Sequence, residues 1–126
     1  MKSFLKSDNA PSAIGPYSQA IGFNDLIFTS GQIGLDASGN FVSEDIQEQT
    51  LQVIKNLTAI LEENGSSLKN VIKTTVFLTT MEDFVPMNEI YSELFGSSMP
   101  ARSTVAVAGL PKNGKIEIEV IAFKNK

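Results

Sequence analysis

The chain has 126 residues, 14 Asp and Glu against 10 Lys and Arg, and a formal net charge of −4; it contains no Cys, His or Trp, and Arg102 is its only arginine. These absences exclude a disulfide framework, a thiolate nucleophile, Cys-ligated zinc or iron–sulfur clusters, and any imidazole acid, base or metal ligand. What remains for chemistry is carboxylates, hydroxyls, lysines, backbone groups and one guanidinium. The length fits one domain over residues 1–126. A pI of about 4.7 argues against a nucleic-acid surface, which would need a basic patch. The apolar run Val120–Phe123 is far too short for a transmembrane helix, and Met1–Ala13 lacks the apolar core of a secretory signal. The expected location is therefore the cytoplasm, without a membrane partner, and Asn56-Leu57-Thr58 reads as a chance sequon.

Tyr17–Phe23 and Leu26–Ile33 flank Asn24-Asp25, a two-residue connection of turn-forming types, and predict a β-hairpin. Asp36–Asn40 is a polar turn. Ser43 is the expected N-cap of a long helix, with Glu44 and Asp45 at its positive end. Ile46, Thr50, Val53, Ile54, Leu57, Ile60 and Leu61 fall at helical spacing, and Asn64-Gly65 supplies the stop. Val71–Thr79, rich in β-branched residues, predicts a strand. Thr80–Asp83 caps a second helix reaching about Phe95, with Pro86 tolerated in its first turn and Gly96 ending it. Phe84, Met87, Tyr91, Leu94 and Phe95 form its buried stripe.

Arg102–Ala108 and Lys115–Phe123 complete the order ββαβαββ. This predicts an α+β fold with a single mixed β-sheet and two helices packed on one face. Ile116, Ile118, Val120 and Ala122 are assigned to the helix-covered face of the last strand. Lys115, Glu117, Glu119, Ile121 and Phe123 face the other way, as Val71, Lys73, Thr75 and Phe77 are expected to do in the earlier strand. Apolar residues interleaved with charges on that second face suggest partial burial against another chain, or else a wet face carrying isolated apolars.

Arg102 opens a strand directly after Met99-Pro100-Ala101. Its planar fork suits a carboxylate or phosphate, which lysine cannot grip in the same way; a structural pairing with a surface carboxylate is the plainer alternative. Glu117 and Glu119 share a strand face about 7 Å apart. One of them could orient or deprotonate water, unless both belong to an exposed acidic stripe. Tyr17 and Ser30 are assigned to the two hairpin arms, and Gly31 would let backbone N–H groups approach a ligand. Asn88 sits among apolar helix positions, where its amide needs a partner. Gly31–Gly34 matches the GXXG pattern only superficially, and no phosphate-binding, dinucleotide or nucleophile-elbow motif occurs.

Five separated stretches together are similar to one family. They are Ala13–Gln19, Thr29–Ile33, Val71–Phe77, Pro100–Val105 and Ile116–Val120. In order and spacing the whole chain resembles the reactive-intermediate deaminase A family (RidA, also called YjgF). The resemblance implies a chorismate-mutase-like fold assembled as a homotrimer, with sites between neighbouring subunits and neither cofactor nor metal. It also implies hydrolysis of 2-imino acids and their enamine tautomers, such as 2-iminobutanoate and 2-iminopropanoate, to 2-keto acids and ammonia. Alternative roles are a non-catalytic metabolite-binding regulator, or an endoribonuclease and translation inhibitor.

Position by position, the resemblance gives Arg102 the substrate carboxylate and Ser30 and Gly31 a hydroxyl and an amide near it. Tyr17 and Asn88 become pocket residues, and Glu117, rather than Glu119, places the attacking water. Thr104 stands where the family commonly has cysteine; its backbone carbonyl can still contact the imine nitrogen or water. Ala106 and Gly109 replace a Glu and an Arg frequent in bacterial relatives.

Overall fold

The computed structural model describes all 126 residues. Its strands are β1 (Lys2–Leu5), β2 (Ala20–Phe23), β3 (Leu26–Thr29), β4 (Val71–Leu78), β5 (Ala101–Ala106) and β6 (Ile116–Phe123), with helices α1 (Ile46–Glu63) and α2 (Phe84–Phe95). The strands form one six-stranded sheet in the order β1-β2-β3-β6-β4-β5. All pairings are antiparallel except β4 with β5, whose α2 crossover makes them parallel. The expected α+β architecture is therefore present, with one strand more at its N-terminus.

The strand β1 was not legible, because Phe4 and Leu5 are its only apolar residues and its order comes from pairing with β2. The hairpin turns at Asn24-Asp25 with Asn24 at φ 53°, as a two-residue turn requires, but its strands are shorter than predicted. Tyr17 and Ser30 consequently lie in loops just outside the arms. Asp45, not Ser43, is the N-cap of α1: its carboxylate accepts from the Glu48 N–H at 3.0 Å, while the Ser43 hydroxyl accepts from the Asp45 N–H at 2.9 Å. Both residue types suit a cap, and only the backbone path chooses between them. Thr80 caps a single 3₁₀ turn, Met81–Asp83, that leads into α2.

The core lies between the helices and one sheet face. From α1 it takes Val53, Ile54, Leu57, Ile60 and Leu61; Ile116, Ile118, Val120 and Ala122 meet them from β6, all buried as their alternation required. In β4 the assignment of Val71 is corrected. A bulge between Val71 and Lys73 turns Ile72 outward and puts Val71 into the core, leaving Lys73, Thr75 and Phe77 on the other face. That open face also carries Phe4, Phe28, Val105 and Phe123, which are 73%, 39%, 44% and 43% exposed.

Candidate functional site

Two groups of the candidate residues are assembled, on different sides of the sheet. In the β4–β5 ladder Thr74 stands opposite Arg102 and Val76 opposite Thr104. Thr74 and Val76 are completely buried, so Arg102 and Thr104 project toward the helix-covered side. There α2 presents Phe84, Asn88 and Tyr91, spaced four and three apart on one face. Arg102 donates from Nη1 to Asn88 Oδ1 at 2.6 Å. Its guanidinium carbon lies 4.6 Å from the Tyr91 ring centroid and 5.5 Å from that of Phe84.

Arg102 has no carboxylate partner. The one ion pair in the molecule joins Lys6 to Asp8, 3.9 Å apart in open solvent. The pairing with a surface carboxylate that the sequence left open is thereby absent within the chain. Of the five N–H donors of a guanidinium, Asn88 occupies one. A half-buried cation seated against aromatic faces with most donors free is organised to receive an anion. Thr104, on the same strand face, has a buried Oγ1 with no hydrogen-bond partner.

The second group surrounds Glu117. Beyond β3 the chain passes Ser30 and Gly31 and rejoins β6 at Gln32, which exchanges two backbone hydrogen bonds with Ile118 at 2.9 and 3.1 Å. Between the pairs Phe28–Ile121 and Gln32–Ile118 one strand has an extra residue, a local bulge. At the bulge Gly31 lies directly under Glu117: a Cβ there would come within 2.6 Å of the Glu117 Cδ. The glycine thus makes room for the carboxylate side chain, a requirement its sequence context does not show.

The neighbouring cleft has a volume of about 470 Å³ and is lined by Tyr17, Gly31, Glu117, Ile14, Ile33 and Lys112, among others. Its loop wall is held by Gln19, a residue the sequence did not single out. Gln19 accepts from the Ser7 N–H at 2.6 Å and donates to the carbonyls of Pro11 and Ser7 at 2.7 and 3.1 Å. The Ser30 hydroxyl donates to the Ser18 carbonyl at 2.6 Å and so helps to fix this loop. On the opposite wall Lys112 and its neighbour Asn113 have φ of 54° and 60°, left-handed values uncommon for non-glycine residues.

Burial pushes the Glu117 carboxyl above its ordinary range, and the negative charge of Glu119 adds to the effect. Nowhere do three Asp or Glu side chains cluster so as to hold a metal ion. No helix is long and apolar enough to cross a membrane.

Tyr17, Gly31 and Glu117 are therefore brought together, as are Arg102, Asn88 and Thr104. The two groups are not brought together within one chain. Glu117 stands opposite Phe77 on β4, and Arg102 opposite Thr74, three residues away. An odd offset places the two side chains on opposite faces of the sheet.

Residues 7–124 match the family model described as Endoribonuclease L-PSP. Among curated proteins, a RutC family protein of Pyrococcus horikoshii is 53% identical over 98% of this chain and 99% of its own. The chloroplastic Reactive Intermediate Deaminase A of Arabidopsis thaliana is 50% identical over 96% of this chain and 65% of its own. The 2-iminobutanoate/2-iminopropanoate deaminase of Mus musculus is 46% identical over 98% and 93% respectively. Among solved structures, a Thermotoga maritima protein provisionally called an endoribonuclease matches with a TM-score of 0.96 and 54% identity, covering 100% of both chains.

Proposed function

This chain belongs to the Endoribonuclease L-PSP family, which includes the reactive-intermediate deaminases, and we propose that it hydrolyses 2-imino acids and their enamine tautomers to 2-keto acids and ammonia. The observation that carries this reading is the unpaired, half-buried Arg102 with its fork open. A 2-imino acid carries the carboxylate such a fork grips, next to the carbon that water must attack. The names of the plant and mouse relatives support the same chemistry.

The reaction needs little beyond positioning. A protonated imine beside a carboxylate is already electrophilic. Water adds to its carbon and gives up a proton, leaving a carbinolamine. That proton is passed to the nitrogen, which leaves as ammonia while the C=O bond forms. The hydroxyl proton released in that step converts the ammonia finally to ammonium. Water supplies the oxygen, and no electron carrier enters. Arg102 fixes the carboxylate, Glu117 accepts the proton of the attacking water, and Tyr17 and the Gly31 backbone shape the pocket. Fixing reactants in this way contributes up to about 7–11 kcal/mol in ideal intramolecular cases. General-base assistance adds about 10²–10⁴-fold.

Because Arg102 and Glu117 point from opposite sheet faces, one substrate reaches both only across two copies of the chain. A homotrimer, in which Arg102, Asn88 and Thr104 of one subunit meet Tyr17, Gly31 and Glu117 of the next, supplies that arrangement. The apolar open face and the unpaired edge of β5 are surfaces such an assembly would cover.

The test generates 2-iminobutanoate in situ with a threonine dehydratase in the presence of semicarbazide. The protein is expected to suppress the semicarbazone formed from the imine and to speed release of free 2-ketobutanoate. Unchanged traces together with saturable 2-keto acid binding would favour a regulator. Cleavage of RNA lost in parallel by Arg102→Ala and Glu117→Ala would favour the endoribonuclease that the Thermotoga protein's name suggests. The net charge of −4 gives RNA little to bind.

A further inference from the structure

We infer that Tyr91 is the positioning residue for Arg102: its ring face holds the guanidinium in the plane from which the free edge of the fork meets the substrate carboxylate. The inference rests on the reading of Arg102 as the carboxylate clamp and extends it to the residue that makes the clamp rigid.

Two contacts and burial pin the Tyr91 ring. Its hydroxyl is 2.8 Å from the Thr74 hydroxyl in a buried pair. Its ring stacks on Phe95 with centroids 4.4 Å apart and planes at 28°. The residue is only 7% exposed. Thr74 is also the residue opposite Arg102 in the β4–β5 ladder. Tyr91 is thus tied to the strand pair from which Arg102 rises, and the guanidinium lies 4.6 Å above a ring that cannot swing away.

Asn88, three residues earlier on α2, takes the Nη1 hydrogen bond, and Phe84 forms the outer wall at 5.5 Å. These contacts restrain the fork without a carboxylate. An acidic partner would also restrain it, but would compete with the substrate for the same N–H groups. An aromatic face attracts the cation and leaves those groups unused. Burial raises the phenol above its ordinary value, outweighing the Thr74 hydrogen bond and the charge of Arg102, so the neutral phenol does not capture the arginine as an ion pair.

The experiment uses the full chain in its native assembly and the variants Tyr91→Met, Tyr91→Phe and Phe84→Leu, with Arg102→Ala as reference. For each, KM and kcat for imine hydrolysis are measured, with the Kd of 2-ketobutanoate and of its neutral counterpart 2-oxobutanamide. Tyr91→Met, which fills the volume without a ring, is expected to weaken 2-ketobutanoate about tenfold and raise KM more than it lowers kcat. Amide binding should hold within about twofold, since the lost interaction acts through charge. Tyr91→Phe keeps the ring face and should stay within about threefold of the parent for the keto acid. If Tyr91→Met fails to assemble, Phe84→Leu at the outer wall gives the reading, with a weakening of about threefold confined to the charged ligand.

Parent-like keto acid affinity in Tyr91→Met, or in Phe84→Leu where that variant is the one read, would overturn the inference. So would equal losses for acid and amide, which mark a merely structural role. If Arg102→Ala also leaves keto acid binding intact, the clamp itself is wrong; if Arg102→Ala alone abolishes it, only the role of Tyr91 fails.

Discussion

The Arg102 seat and the Glu117 cleft are built in opposite ways. The seat consists of regular elements: one strand supplies the arginine, its neighbour supplies Thr74, and a single face of α2 supplies Phe84, Asn88 and Tyr91. The cleft is a meeting of loops around β6, held by Gln19 on one side and bounded by left-handed Lys112 on the other. One region has a cation without an anion. The other has a carboxylate whose proton affinity is raised by burial and by Glu119. One region offers a guanidinium fork and the other a carboxylate, and the sheet between them keeps the two apart within a chain. A small carboxylate substrate with one electrophilic carbon needs both, so the split geometry itself argues for a site shared between copies.

The two regions should fail differently when broken. Arg102→Ala has the largest expected effect, a fall of about 10³-fold in kcat/KM, with loss of 2-keto acid binding and an intact assembly by light scattering. Activity close to the parent would end the clamp assignment. Glu117→Gln should lower kcat about 10²-fold while 2-ketobutanoate still binds, as measured by calorimetry, because only the base is gone. A matching loss of affinity would mean that Glu117 holds substrate rather than water. Gly31→Ala touches neither charge but pushes its new Cβ into the Glu117 side chain. A drop of about tenfold in kcat is expected, with keto acid affinity spared.

The smallest effects lie in pH and stability. The proposed reaction uses ionised Glu117, so activity should fall on the acid side along a limb above the ordinary carboxylate range. Glu119→Gln removes a nearby negative charge and should move that limb to lower pH; an unmoved limb would assign it to another group. The folded chain binds the Glu117 proton more tightly than the unfolded chain does. Folding is therefore progressively disfavoured as pH rises above the ordinary glutamate value, until the raised folded value is passed. Glu117→Gln should accordingly raise Tm at neutral pH while abolishing most activity, a trade expected where a buried charge serves function.

Much of this fold was legible in the sequence. The helical spacing from Ile46 to Leu61 and the alternation Ile116–Ile118–Val120–Ala122 needed no tertiary information, since each is a complete apolar face. Strand β1 carries no such signal, and the bulge at Ile72 flips a face that simple alternation assigns to the wrong side. The candidate site was legible as residue types and as a family resemblance. Arg102 stands out as the sole guanidinium, and Glu117 as a carboxylate on a mixed strand. Its arrangement was not legible. Phe84 and Tyr91 read as core because a stripe at helical spacing looks the same whether it packs on leucines or on an arginine. Gln19 organises its loop through hydrogen bonds to backbone carbonyls and an N–H, which leave no pattern in residue type. The separation of Arg102 from Glu117 follows from strand register, and register appears only when the strands are paired.

The most direct test of a shared site is subunit complementation. Arg102→Ala and Glu117→Gln chains, each nearly inactive alone, are mixed in equal amounts under conditions that exchange subunits, and imine hydrolysis is measured. Where one copy supplies Arg102 and its neighbour Glu117, random assembly restores an intact pair at about a quarter of the interfaces, and activity should recover to about that fraction of the parent's. Mixtures that exchange subunits yet stay as inactive as either variant alone would contradict a site built from two copies.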